Sequence, residues 1–298
     1  QYSNVGSLRN RGLDITLSVD VLRTRDAYFT VSGTFNYNIQ KVTGLFNNLD
    51  TWTDSGTGIT YVVGQSVSFY DALFAGINPE NGAPQWYMPY GYEAYMESVA
   101  AGTPNTDLLD FTRTRKDPNA VTSDYNSTIL MQNTGKKLDP PINGGFSFAA
   151  GWKGFSARAD FSYVAGKYMI DNDYFFLCNP HVVSGIYNQA KEAADFWTPT
   201  HTDAKYPNWA DGWQMEFDSH LLEPASFLRL KNLQIGYSLP ESVLKWQKLV
   251  KSVQVTLTGR NLLTFSKFPG VDPEVDSNLT RGLPGNTKQV LGGLEIKF

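Results

Sequence analysis

Three histidines, His181, His201 and His220, and the single cysteine, Cys178, fall within one stretch of the 298-residue chain. Imidazole and thiolate are the side chains that hold transition metals, and Cys178-Asn179-Pro180-His181 could bring two of them to one ion. The spacings to His201 and His220 fit no zinc pattern, and a second cysteine is missing, so chance clustering in a polar loop is the better reading. Asp171-Asn172-Asp173 begins like a calcium loop but lacks its later glycine and glutamate. Carboxylates abound (Glu93, Glu97, Asp107, Asp110, Glu192, Asp195), yet no Ser/His/Asp order or acid pair stands out. Phosphate-loop, dinucleotide and Gly-x-Ser-x-Gly fingerprints are missing too. The expectation is therefore no enzyme, no cofactor and no metal. Binding chemistry remains. Trp86 and Tyr87 sit together, and Trp197, Trp209 and Trp213 share a second segment with Tyr206. Flat rings offer contact area at low entropic cost, to a substrate or to a covering partner. The alternative of equal weight is that they staple long loops in place.

The elements that must position these residues are strands. Leu13–Val21 alternates apolar and polar residues without a break, as do Ala27–Gln40, Phe155–Tyr163 and Val253–Arg260. Gln289–Phe298 repeats the pattern with Leu291 out of phase, and Phe146–Trp152 and Phe227–Leu239 complete about seven strands. The phase of Phe227–Leu239 switches near Lys231-Asn232, which predicts a bulge. Asp14, Asp20, Arg158, Asp160 and Arg260 fall on the polar phase and are the candidates for a lumen-facing wall.

Composition narrows the class. Hydrophobic residues make up 41%, aromatic 14% and charged 18%, where about 25% charged is typical of soluble proteins. A net charge of −4 gives no basic footprint, so a nucleic-acid partner is not expected. One cysteine excludes an internal disulfide framework. No apolar run reaches the ~18 residues of a transmembrane helix, and Gln1–Asn10 has no apolar core of a signal peptide. Strands can still cross a membrane, which takes about 9–11 tilted residues, and these runs are long enough.

Connections alternate in length. Leu22–Arg25 and Lys153-Gly154 are tight turns, and Pro240–Lys251 is short with a helical turn expected over Val243–Leu249. The others are long, at about 43–141, 171–225 and 267–286, the second with a short helix expected over Ile186–Trp197. Antiparallel order puts the long ones at one end, as in outer-membrane barrels with long extracellular loops and short periplasmic turns. Aromatics at strand ends (Trp152, Phe155, Tyr237, Phe265, Phe298) suit an interfacial girdle. Seven strands cannot close, since single-chain bacterial barrels are even-numbered from eight upward. The fold class is thus all-β: residues 1–298 form an antiparallel transmembrane barrel segment that other polypeptide completes.

Particular motifs then resemble one family. Asn4-Val5-Gly6 with Asn10-Arg11-Gly12-Leu13-Asp14 looks like the strand-opening motif of the SusC/RagA family of TonB-dependent outer-membrane transporters. Val63-Gly64-Gln65-Ser66, Phe69-Tyr70 and Ala75–Gly82 are similar to the loop that follows. Phe227–Pro240, Gly259–Phe265, Pro269–Val275 and the terminal Phe298 come in family order. Val271 stands where an aromatic is usual, and Gly292-Gly293 where one glycine is commoner. The resemblance implies the C-terminal strands of a 22-stranded barrel. It further implies a plug and TonB box in N-terminal sequence not contained here, coupling to TonB, and a SusD-like lipoprotein lid. The function it implies is import of an oligomeric nutrient across the outer membrane of a Gram-negative bacterium. Oligosaccharide is favoured over oligopeptide on tryptophan content, and outer-membrane lipid is the surrounding partner. The competing readings are a soluble β-sandwich carbohydrate-binding module and a passive porin.

Overall fold

The computed structural model describes residues 6–54, 59–183, 188–245, 249–275, 279–280, 282 and 284–298. Residues Asn4 and Val5 of the strand-opening motif lie outside the described residues. Seven long strands form one antiparallel sheet: β1 (Gly6–Arg23), β2 (Ala27–Leu45), β3 (Ile142–Trp152), β4 (Phe155–Ala165), β5 (Phe227–Ser238), β6 (Ser252–Ser266) and β7 (Gln289–Lys297). They lie side by side in chain order, an up-and-down meander, and the outer edges of β1 and β7 are unpaired within this chain. A larger barrel is what such edges require.

The turns follow their residues. Lys153 and Gly154 join β3 to β4 with φ of 46° and 91°, the left-handed pair that suits a two-residue hairpin to strand twist. A side chain at Gly154 would come within 2.7 Å of the Ser238 carbonyl. Thr24 closes the β1–β2 turn, its N–H donating to the Ala27 carbonyl at 2.8 Å. Between β5 and β6 the helical turn covers Glu241–Leu244 rather than Val243–Leu249, of which residues 246–248 lie outside the described residues. The bulge lies where the phase switch put it. Lys231 is the extra residue of β5 against β4, where Asp160 pairs with Asn232 and Phe161 with Leu230. β6 answers with its own extra residue against β5, with Asn261 at φ 51°.

Register sorts the two faces. One row reads Ser18, Ser32, Ser147, Asp160, Asn232, Arg260 and Gln289 across all seven strands. The next row, on the opposite face, reads Val19, Val31, Phe148, Ala159, Leu233, Gly259 and Val290. The apolar face packs on nothing among the described residues: Leu17 is 63% exposed, Leu257 55% and Leu294 65%. Two aromatic belts bound it. Trp152, Phe155 and Tyr237 share a row at the turn end, and Phe35, Tyr163 and Phe265 share one at the loop end. Between those rows on β6, Val255 and Phe265 are roughly 33 Å apart along the strand and about 23 Å along the normal at 45° tilt, which matches an apolar band of about 25 Å.

Packed cores lie instead in the loops, all at the same end of the sheet. Small sheets order the first loop: Thr51–Thr53, Thr60–Val62, Ser68–Ala72 and Met131–Lys137, then Phe74–Ile77, Pro84–Tyr87 and Val121–Thr122. This loop also carries helix α1 (Tyr92–Ala100). The second loop differs from the helix expected over Ile186–Trp197. Residues 186–187 lie outside the described residues, and Lys191–Ala194 makes only a 3-10 turn. Extended pairing accounts for this, because the Tyr206 N–H donates to the Asp195 carbonyl at 3.0 Å and the Trp197 N–H to the Tyr206 carbonyl at 2.9 Å. The longest described helix of this loop is α2 (Asn172–Cys178), capped by the Asp171 carboxylate, which accepts from the Tyr174 N–H at 3.0 Å.

Arginine placed at Leu233, in the row midway between the aromatic belts, is expected to lower stability by about 2–4 kcal/mol in a bilayer, while Gln234→Arg on the other face costs less. Urea-titrated, heat-modifiable migration of the full-length protein from liposomes measures both. Equal costs would contradict the assignment of faces.

Candidate functional site

The polar face gathers Asp14, Asp20, Arg158, Asp160 and Arg260 on one wall, where the three carboxylates accept bonds across strands. Thr30 donates to Asp20 at 2.7 Å, Asn36 to Asp14, and Asn232 to Asp160 at 3.1 Å, while Arg158 pairs with Asp160 at 2.8 Å. This wall offers alternating acceptors and cations rather than a catalytic constellation. The histidines separate: His201 bonds Asp195 at 2.7 Å, His220 bonds Asp218 at 3.0 Å, and His181 packs on Trp209. Cys178 is buried, which raises its thiol above the usual range.

The loop aromatics divide. Trp86 is 1% exposed, and its indole N–H donates to the Asp218 carboxylate at 2.6 Å, joining the first loop to the second. Trp197 is buried over Gly82, where a Cβ would meet its ring at 2.6 Å, and it donates to the Pro79 carbonyl at 3.1 Å. Both act as staples between loops, with no ring face free for a ligand. Tyr87, Trp209 and Trp213 are half-buried. Trp209 stacks on Tyr206 with centroids 5.9 Å apart. Further bonds tie the two loops together: Phe74 N–H to Ser219 Oγ at 2.9 Å and Tyr125 hydroxyl to the Phe217 carbonyl at 2.8 Å.

Sequence reasoning does not find the buried ionic cluster at the third loop. Arg229, on the polar face of β5, is 3% exposed. It donates to Asp272 and, at 2.6 Å, to Glu274, both in the third loop, and to Thr264 of β6 at 2.9 Å. Lys231 also reaches Glu274 because the bulge keeps it on the same side. Asp272 accepts further from the N–H groups of Glu274 at 2.9 Å and Asn286 at 2.7 Å. Burial alone would raise this carboxyl, but the Arg229 and backbone bonds outweigh it and hold it down at about 2. One signal exists in the chain, the Pro269–Val275 motif, but pairing across more than forty positions leaves no periodic trace. The third loop in turn holds the second, its Thr280 N–H donating to the Ile170 carbonyl at 3.0 Å. The wall thus anchors the third loop, the third anchors the second, and the second anchors the first.

Buried carboxyls oppose this assembly, Asp71 more strongly than Glu216 and Glu223. Burial, with Asp218 nearby, pushes Asp71 up to about 8. A carboxyl with a raised folded value binds its proton more tightly folded than unfolded, so its effect on stability worsens as pH rises from about 4 to 8. Asp71→Asn is therefore expected to protect the first loop from protease at pH 8 and above, and to matter little at pH 5. Asp272 has the opposite sign. Its contribution is present above about pH 4 and lost as pH falls towards 2. Asp272→Asn, which leaves the Arg229 charge buried, should cost about 3–5 kcal/mol at neutral pH, read as earlier denaturant-induced loss of third-loop protection. No change in either variant would contradict the assigned roles.

No family model matches the chain. Over its full length it is 27% identical to TonB-dependent receptor P3 of Formosa agariphila, of which it covers 29%. It is 25% identical to TonB-dependent receptor SusC of Bacteroides thetaiotaomicron over 99% of its own length and 27% of that protein's. Among solved structures it superposes on the RagAB peptide transporter with a TM-score of 0.84 and 36% identity, covering all of this chain and 30% of that one. The same values hold for the RagAB peptide importer in its open-open state. The chain therefore spans less than a third of the relatives it matches. Along its whole length, in sequence and in fold, the chain is similar to a segment of TonB-dependent receptors, SusC among them, and to part of the RagAB transporter.

Proposed function

We propose that the receptor containing this chain imports an oligomeric nutrient across the outer membrane, with oligopeptide as the cargo. The import is coupled to TonB and shared with a SusD-like surface lipoprotein. The single observation carrying this is the apolar outer face, bounded by two aromatic belts and covered by no second layer among the described residues. A soluble sandwich would bury that face. The rest of the barrel, a plug and lipid complete the wall, and the long loops form the extracellular mouth. The polar face then lines the lumen, where Asp14, Asp20, Arg158, Asp160 and Arg260 meet plug or solute. Tryptophan content favoured a glycan, but burial of Trp86 and Trp197 removes two of the supposed stacking platforms. The solved relative at 36% identity is a peptide transporter, which supports peptide. Relatives that are TonB-dependent receptors weigh against a passive pore.

The test is uptake by cells carrying the full-length receptor and its lipoprotein. Labelled oligopeptides should accumulate only when both proteins and TonB are present, and labelled oligosaccharides should not. Oligosaccharide uptake alone would replace the cargo, and uptake of neither would remove the import reading. Trp209→Ala and Trp213→Ala are expected to reduce peptide capture several-fold at normal receptor levels, whereas Trp86→Ala and Trp197→Ala should lower the amount of folded receptor. Unchanged capture in the first pair would leave the half-buried aromatics without a binding role.

A further inference from the structure

The apolar face is not even. At its loop end a notch of about 530 Å³ opens between the ends of β4 and β6, above the point where β5 begins at Phe227. Tyr163 and Phe265 flank it and share the loop-end aromatic row, with Leu228 between them in register. The space exists because of a glycine. With no side chain at Gly144, the Tyr163 ring lies across β3, where a Cβ would come 2.6 Å from the phenol oxygen. The hydroxyl donates to the Thr34 carbonyl at 3.2 Å and keeps the ring there, turned away from β5. Ala165, small and two residues beyond Tyr163, leaves the upper wall of the notch open.

Its upper rim carries a charge. Lys267 lines the notch two residues past Phe265, is exposed, and forms no ion pair among the described residues. The neighbouring polar groups are already occupied. Ser226 Oγ accepts from the Gly166 N–H at 3.0 Å, and Ser266 Oγ donates to the Ser226 carbonyl at 2.8 Å. An aromatic belt marks the depth of the headgroups, and a lysine just beyond it lies at the level of their phosphates. The notch is therefore apolar below, cationic above and continuous with the lipid-facing surface.

We propose that this notch is a binding site for a phosphate-bearing glycolipid of the outer leaflet, with an acyl chain between Tyr163 and Phe265 and the phosphate on the Lys267 ammonium. Charge complementarity selects a phosphorylated lipid over a zwitterionic one, because the ammonium has no carboxylate of its own to satisfy. The proposal rests on the outer-membrane reading above, with the loops on the outer side.

The full-length receptor, purified in detergent and checked for heat-modifiable migration, is titrated with a monophosphorylated lipid A and, in parallel, with its dephosphorylated form. Native mass spectrometry reads the bound fraction. Wild type is expected to hold the phosphorylated lipid about tenfold more tightly than the dephosphorylated one. Lys267→Glu should lose that preference, and Ala165→Trp, which fills the notch, should weaken both lipids. Millimolar inorganic phosphate should not displace the lipid. Equal binding of both lipids by wild type, or no effect of either substitution, would overturn the site. Displacement by inorganic phosphate would make it a free-anion site and overturn the lipid assignment. Peptide uptake by the same variants keeps the two readings apart. Normal uptake with no lipid preference defeats this site alone, while loss of wild-type uptake defeats the import reading.

Discussion

An apolar surface with no protein against it governs this structure. Leu13, Ile15, Leu17, Val19 and Val21 of β1 and Val255, Leu257, Leu263 and Phe265 of β6 all stay exposed. In water, burying such side chains is worth about 1.5–3 kcal/mol each, so a face of this extent left bare would collapse or aggregate. In hydrocarbon it costs nothing, provided that every backbone N–H and C=O is bonded within the wall. The meander supplies those bonds along each of its strand pairs. The same constraint dictates the other face, because polar side chains excluded from lipid must all point inward, where Ser18 meets Ser32 and Asp160 meets Asn232.

From that constraint follows a division of labour. The wall has no core of its own, so hydrophobic burial is displaced into the loops, where three clusters centre on Tyr206 and Leu221, on Trp86 and Leu130, and on Met169 and Phe268. Loops this long stay ordered because each is tied to the next, the third is tied to the wall through Arg229, and the first through Val42 of β2. A buried ion pair is a poor source of net stability but a specific one, since few arrangements satisfy its five donors. The mouth is thus a packed body held on the wall by the charged bonds of Arg229 at the third loop and by backbone bonds of Val42 with Gln65 and Gly64 at the first. That suits a surface on which cargo or a lid must find a fixed shape.

The strands are legible because a two-residue period sustained over nine or more positions arises from little else than a strand with two unlike faces. Legibility fails where the physics changes. β1 begins at Gly6, well before the alternation starts at Leu13, because residues beyond the apolar band gain nothing from alternating. β6 continues to Ser266 past Arg260, and the bulge at Asn261-Leu262 hides the continuation by putting an apolar residue, Leu262, at a position the alternation reserves for a polar one. The Ala/Lys/Glu composition of 190–194 speaks for a helix, but strand-like pairing of Phe196 with Tyr206 decides the local path. Tryptophans advertise binding, yet indole burial and its one N–H donor serve a staple equally well, and sequence carries no sign of exposure. Arg229 to Asp272 is a tertiary contact that one sequence cannot reveal.

The central claim is tested most directly by spin labels placed singly along β6 from Val253 to Ser266 in the full-length receptor reconstituted in lipid. Collision with oxygen, which concentrates in hydrocarbon, should be high at Val255, Leu257, Leu263 and Phe265. It should be low at Thr256, Thr258, Arg260 and Thr264, with the same phase on both sides of the Asn261-Leu262 bulge. Labels at Val255, Leu257, Leu263 and Phe265 that are shielded from oxygen as strongly as their neighbours would mean that protein covers this face, and the membrane wall would have to be abandoned.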